Sequence, residues 1–181
     1  PEDDGTYSKR QKHGLISVVI HEVGHNWFPM IINTDERQWT WIDEGFNSFV
    51  QVMAEQRWQE EYPSWSGEPA KLAPYMKRTD EVPIMTASDS LIHFGQNAYG
   101  KTASALVVLR EVVLGDELFD FAFKEYARRW QFKRPQPADF FRTIEDATGR
   151  DLDWFWRGWF YDTRPVDISI EDVETFRIAK G

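Results

Sequence analysis

Two histidines and a glutamate stand together in the run HEVGH, as His21, Glu22 and His25. On a helix, residues four apart leave from the same face one turn apart. Both imidazoles can therefore reach one tetrahedral zinc ion at about 2.0–2.1 Å. Glu22 lies about 100° further round the helix, where a carboxylate can touch a water on the metal without ligating it. A catalytic zinc takes three protein ligands and keeps one position open. After His25, eighteen residues intervene before Glu44, in the block WIDEGF, and it is the expected third ligand; Asp43 beside it is the competitor. Two neutral imidazoles and one carboxylate leave the ion a net positive charge, which suits a Lewis acid that activates water. The expected site is thus zinc on His21, His25 and Glu44, one ion per chain, with Glu22 as general base. Asp43 and Ser48 are candidate acceptors for the outer N–H groups of the imidazoles.

The composition agrees with this chemistry and excludes others. There is no cysteine among the 181 residues, so no thiolate can serve as ligand or nucleophile and no disulfide can form. A formal net charge of −9 argues against a nucleic-acid partner and against docking on an anionic membrane. No apolar run approaches the roughly 18 residues of a spanning helix. The compartment stays open between cytoplasm and bacterial periplasm, and the oligomeric state is unknown. The opening PEDDGTYSKRQKHG resembles neither a leader nor an initiator, and it reads as an internal cut in a longer chain.

The elements that must carry these residues read as helices. LISVVIHEVGHNWF is apolar at most positions outside its His and Glu residues, which predicts a buried helix that Pro29 limits. WTWIDEGFNSFVQVMAEQRW predicts a second helix, with Phe46, Phe49, Val50 and Met53 recurring three and four apart. Residues 61–96 hold Pro63, Pro69, Pro74 and Pro83 and predict a long irregular stretch with short helical turns at most. Further helices are expected over 97–114, ending at Gly115, over 117–132 with Leu118, Phe121, Ala122 and Tyr126 on one face, and from Pro137 to Thr148 before Gly149. Asp151 is placed to cap a last, aromatic helix, in which Trp154, Phe155, Trp156 and Trp159 are expected in the core. Val166, Ile168 and Ile170 alternate with polar residues and predict one strand. His13 and His93 are expected to be bystanders, and Glu60 and Glu61 to be solvated.

With HEVGH, the eighteen-residue gap and WIDEGF in hand, the chain resembles the aminopeptidase N family of gluzincin metallopeptidases, from about Lys12 to Val166. The resemblance implies a mainly α fold: the helical C-terminal part of a thermolysin-like (gluzincin) catalytic domain, with one short β-strand near the C-terminus. Residues 1–165 would be that domain, incomplete on its N-terminal side, and 166–181 the start of a following β segment. It also implies a role for Tyr99, in Asn97-Ala98-Tyr99-Gly100-Lys101-Thr102, 55 residues after Glu44: the family's tyrosine there donates a hydrogen bond to the oxyanion. Thr102 replaces the family's glycine, Asn26 its common glutamine, and Pro29 a small residue. The family's amine-anchoring Gly-x-Met-Glu-Asn segment is absent. The expected activity is zinc-dependent peptide hydrolysis, with release of N-terminal residues implied by resemblance alone. Another zinc hydrolase such as an endopeptidase, or a non-catalytic zinc-binding module, are the alternatives. The implied partners are a peptide substrate and upstream domains of the same polypeptide.

Overall fold

The computed structural model describes residues 4–164 and 172–175. Among the described residues seven α-helices follow one another: α1 Lys9–Gly24, α2 Phe46–Trp58, α3 Pro69–Met76, α4 Thr102–Val108, α5 Asp116–Trp130, α6 Pro137–Thr148 and α7 Asp153–Trp156. Wider turns, bonded five residues apart, extend several of them. Trp41–Gly45 leads into α2, Gly95–Lys101 into α4, and Leu109–Leu114 continues α4. No strand occurs among the described residues, and the strand expected at 166–170 lies outside them. Among the described residues no helix is long and apolar enough to cross a membrane.

Local chemistry explains most boundaries. Ser8 and Gln11 exchange side-chain and backbone hydrogen bonds at the start of α1, which satisfies two otherwise orphaned donors. α6 begins with Pro137 and a reciprocal Gln136–Asp139 cap, and ends at Gly149 with φ +64°, the left-handed turn glycine adopts without strain. Asp151 does not cap the last helix directly. Its Oδ1 accepts from the Asp153 backbone N–H, and Leu152 is the cap residue.

The core is an aromatic stack where α2, α5, α6 and the C-terminal helix meet. Phe46 and Phe140 lie 4.6 Å apart between ring centres, Phe141 stacks on Trp156 at 4.6 Å, and Trp41 meets Phe160 at 5.0 Å. This mass of rings packs on Trp41 and Phe46, either side of Glu44, so the segment carrying Glu44 rests on the aromatic core.

Several expectations need correction. α1 contains no buried residue, although its composition predicted a buried helix. Its contact face is the polar one: His13, Ser17, His21 and Gly24 meet Tyr62, Gln51 and Asn47. Leu15, Val19 and Val23 stand more than half exposed. On α5 the buried face is Phe119, Ala122 and Tyr126, while Phe121 is exposed. Trp154 also faces solvent, whereas Phe155 and Trp156 are core. Within 61–96 the chain forms the two-turn helix α3, because Pro69 at its first turn gives up no intrahelical bond.

Candidate metal and catalytic site

α1 brings His21 and His25 to one face, their rings 4.7 Å apart and nearly perpendicular. Both Nε2 atoms converge on a single carboxylate oxygen: Glu44 Oε2 is 3.1 Å from His21 and 3.3 Å from His25. One atom from each of the three residues lies within 4.8 Å of the others. The outer nitrogens are engaged elsewhere. His21 Nδ1 is 2.9 Å from Gln51 Oε1, and His25 Nδ1 donates to the Phe28 carbonyl oxygen at 2.7 Å. A carbonyl can only accept, so each Nδ1 carries the proton and each Nε2 presents a lone pair. Two lone pairs and a carboxylate pointed at one another are unfavourable unless a proton or a cation lies between them. The donor set, two imidazoles and one carboxylate with no thiolate, fits a zinc ion with an open position.

Asp43 lies off this centre. Its Oδ1 is 3.2 Å from His25 Nδ1, but that ring's proton is directed at Phe28, and the carboxyl is mostly buried. Burial and the neighbouring Glu44 charge push it up to about 7. Ser48, the other expected acceptor, is fully buried, and its hydroxyl makes no hydrogen bond to the described residues. Gln51 fills the acceptor role for His21 instead, a residue the sequence reading missed. Burial alone would lower the His21 pKa, yet its hydrogen bonds to Glu44 and Gln51 outweigh that and raise it. Glu44 is shifted the other way: burial pushes it up, but hydrogen bonds from His21, when that ring carries a second proton on Nε2, and from Tyr99 bring it below its ordinary value.

Tyr99 reaches the centre from the wide turn before α4. Its ring lies parallel to His21 at 5.7 Å, and its hydroxyl donates to Glu44. Burial, followed by the Glu44 hydrogen bond, holds the phenol well above its usual pKa, so it stays a donor. What admits this approach is Gly45. A Cβ there would stand 2.4 Å from Thr102 Cγ2 and 2.7 Å from the Ala98 carbonyl oxygen. Thr102, the departure from the resembled family, packs directly on the glycine that follows Glu44. Glu44 and Tyr99 both sit in wide, five-apart turns, a distortion frequent at functional sites. At the end of α1, Gly24 permits an equally close approach: Asn47 Nδ2 donates to the His21 carbonyl oxygen at 2.7 Å, and a Cβ on Gly24 would meet Asn47 Oδ1 at 2.0 Å.

Glu22, His21 and Tyr99 line an open cleft of about 720 Å³, with Trp65 beside Tyr99 and Lys9, Arg10 and His13 further along α1. The charge of Glu22 is felt at both His21 and Tyr99. His93 is elsewhere, 3.0 Å from Asp80 and beside Arg78. His13 packs edge-on against Tyr62.

The family model described as the peptidase family M1 domain matches residues 2–159. A probable aminopeptidase 1 of Sulfurisphaera tokodaii is 25% identical over 96% of the chain, and an aminopeptidase N of Streptomyces lividans 24% identical over 88%. The chain spans only 24% and 20% of those relatives' lengths. Among solved structures, an M1 zinc metallopeptidase of Deinococcus radiodurans with a Tyr-Ser-Ala substrate bound shares the fold. Its TM-score is 0.68 at 19% identity, covering 84% of this chain and 34% of that one.

Proposed function

Because the chain belongs to peptidase family M1, we propose that it carries the hydrolytic centre of a zinc peptidase, with His21, His25 and Glu44 holding the metal. The observation that carries this reading is the convergence of the two Nε2 atoms on Glu44 Oε2 while both Nδ1 protons are committed elsewhere. Zinc, when bound there, would supply a Lewis acid for the scissile carbonyl and for water.

The remaining chemistry belongs to side chains. Glu22, at the cleft wall, takes the proton of the attacking water on a carboxylate oxygen and returns it to the leaving amine nitrogen. The Tyr99 hydroxyl, kept protonated by burial and Glu44, swings its hydrogen bond toward the oxyanion as charge develops there. Release of N-terminal residues is proposed from the relatives named aminopeptidases.

The test is metal content together with hydrolysis of peptides bearing free or blocked amino termini. Glu22→Gln should retain zinc and abolish turnover; near-parental activity would remove Glu22 from the base role. Cleavage of blocked peptides at equal rates would replace the aminopeptidase reading with an endopeptidase.

A further inference from the structure

Toward α1, helix α2 turns a polar face. Glu44, Ser48, Gln51 and Glu55 follow at helical spacing, and Ser48, Gln51 and Glu55 are all buried. Burying such groups is unfavourable unless each finds a partner. Gln51 and Glu55 find theirs in one directed chain. The Ser64 hydroxyl donates to Glu55 Oε2, Gln51 Nε2 donates to Glu55 Oε1 at 2.7 Å, and Gln51 Oε1 faces His21 Nδ1 at 2.9 Å.

The direction of this chain has a consequence at the metal site. A primary amide has one accepting end and one donating end, so it can face His21 either way. Turned with its NH₂ toward the ring, it would require Nδ1 to accept and would drive the proton onto Nε2. An ionised carboxylate only accepts, so at position 55 it captures the NH₂ end and presents the oxygen to His21.

We propose that Glu55, which touches neither the ligands nor the cleft, is a positioning residue. Through Gln51 it holds the His21 proton on Nδ1 and keeps the Nε2 lone pair free for zinc. This rests on the zinc reading above.

The test substitutes Glu55→Met, of similar length and with no acceptor, and measures the zinc dissociation constant of the 181-residue chain by chelator competition. Loss of an outer-shell partner should weaken zinc binding by about 10–100-fold. Adding Gln51→Glu to that variant should return most of the affinity, because both ends of a carboxylate accept and orientation no longer matters. A merely structural role for Glu55 predicts no such rescue. Parental affinity in Glu55→Met, or a double variant as weak as the single one, overturns the proposal. Should Glu55→Met not fold, nitrogen-15 spectra of the zinc-loaded parent decide. A proton on His21 Nδ1 is required, and zinc bound through Nδ1 refutes it. Absence of zinc binding by the parent would instead overturn the metal reading itself.

Discussion

Substituting Gly45→Ala tests the close crossing that brings Tyr99 over Glu44. The new Cβ would lie 2.4 Å from Thr102 Cγ2, 2.5 Å from Thr102 Cβ and 2.7 Å from the Ala98 carbonyl oxygen. Ordinary contact begins at 3.4 Å, so the segments must part by about 1 Å (3.4 − 2.4). No rotamer change relieves this, since a backbone oxygen and a Cβ are among the obstacles. Overpacking of this kind destabilises by about 1–3 kcal/mol. The larger effect is on chemistry, because a 1 Å misplacement can reduce turnover by about 10²-fold. Urea unfolding would read the first effect, and the turnover number with a peptide substrate the second. Adding Thr102→Gly removes two of the three contacts and leaves the carbonyl 0.7 Å short (3.4 − 2.7), so recovery should be partial. Stability within about 0.5 kcal/mol of the parent, together with unchanged turnover in Gly45→Ala, would refute the argument.

Three further outcomes follow from the geometry. Tyr99→Phe should lower kcat by about 10²–10³-fold, the effect of losing one oxyanion donor, and leave zinc content unchanged; steady-state kinetics with metal analysis checks this. Lys101→Met should destabilise the chain by about 3–5 kcal/mol. It strands Glu81, whose carboxylate and the Lys101 ammonium are both only 1% exposed. Chemical denaturation should find Lys101→Met/Glu81→Met more stable than the single variant. Hydrogen bonds from Arg128 and Arg129 bring Glu125 from 4.5 down to about 2. A depressed carboxylate contributes stability above its unfolded pKa and loses it as pH falls through the folded value. Glu125→Gln should therefore flatten the acid limb of the stability curve between about pH 4.5 and 2, an effect read by pH-dependent thermal unfolding and kept small by exposure.

The parts legible in the sequence are those where spacing alone carries geometry. His21 and His25 had to share a face once on a helix, and Pro137 and Gly149 mark α6 to the residue. Glu44 and Tyr99 were reached through the block around each and the family resemblance, and the fold places both against His21. Gln51 and Glu55 escaped because polar residues at helical spacing ordinarily mark a solvated face, and only the tertiary position of α1 turns that stripe inward. Phe121 and Trp154 failed for the converse reason: in a run as apolar as Leu118–Phe123 or Trp154–Trp159, hydrophobicity cannot say which side faces the core. Gly45 reads as an ordinary helix-start residue until Thr102 is seen lying on it.

A histidine helix with no buried residue of its own has a thermodynamic consequence. It is held to α2 by Gln51 and Asn47 and to the segment after α2 by Tyr62; on the proposed reading His21 and His25, at its C-terminal end, would be two of the ligands, and Glu44, in the wide turn before α2, the third. A zinc ion bound there would act as a clasp between two elements, and part of its intrinsic binding energy would go into docking one on the other. The apparent dissociation constant is the intrinsic one divided by the fraction of molecules already docked. Any contact that raises that fraction tightens metal binding without touching a ligand. By the same linkage, amide exchange along Lys9–Gly24 should slow as zinc is titrated, which makes the backbone of α1 a gauge of occupancy.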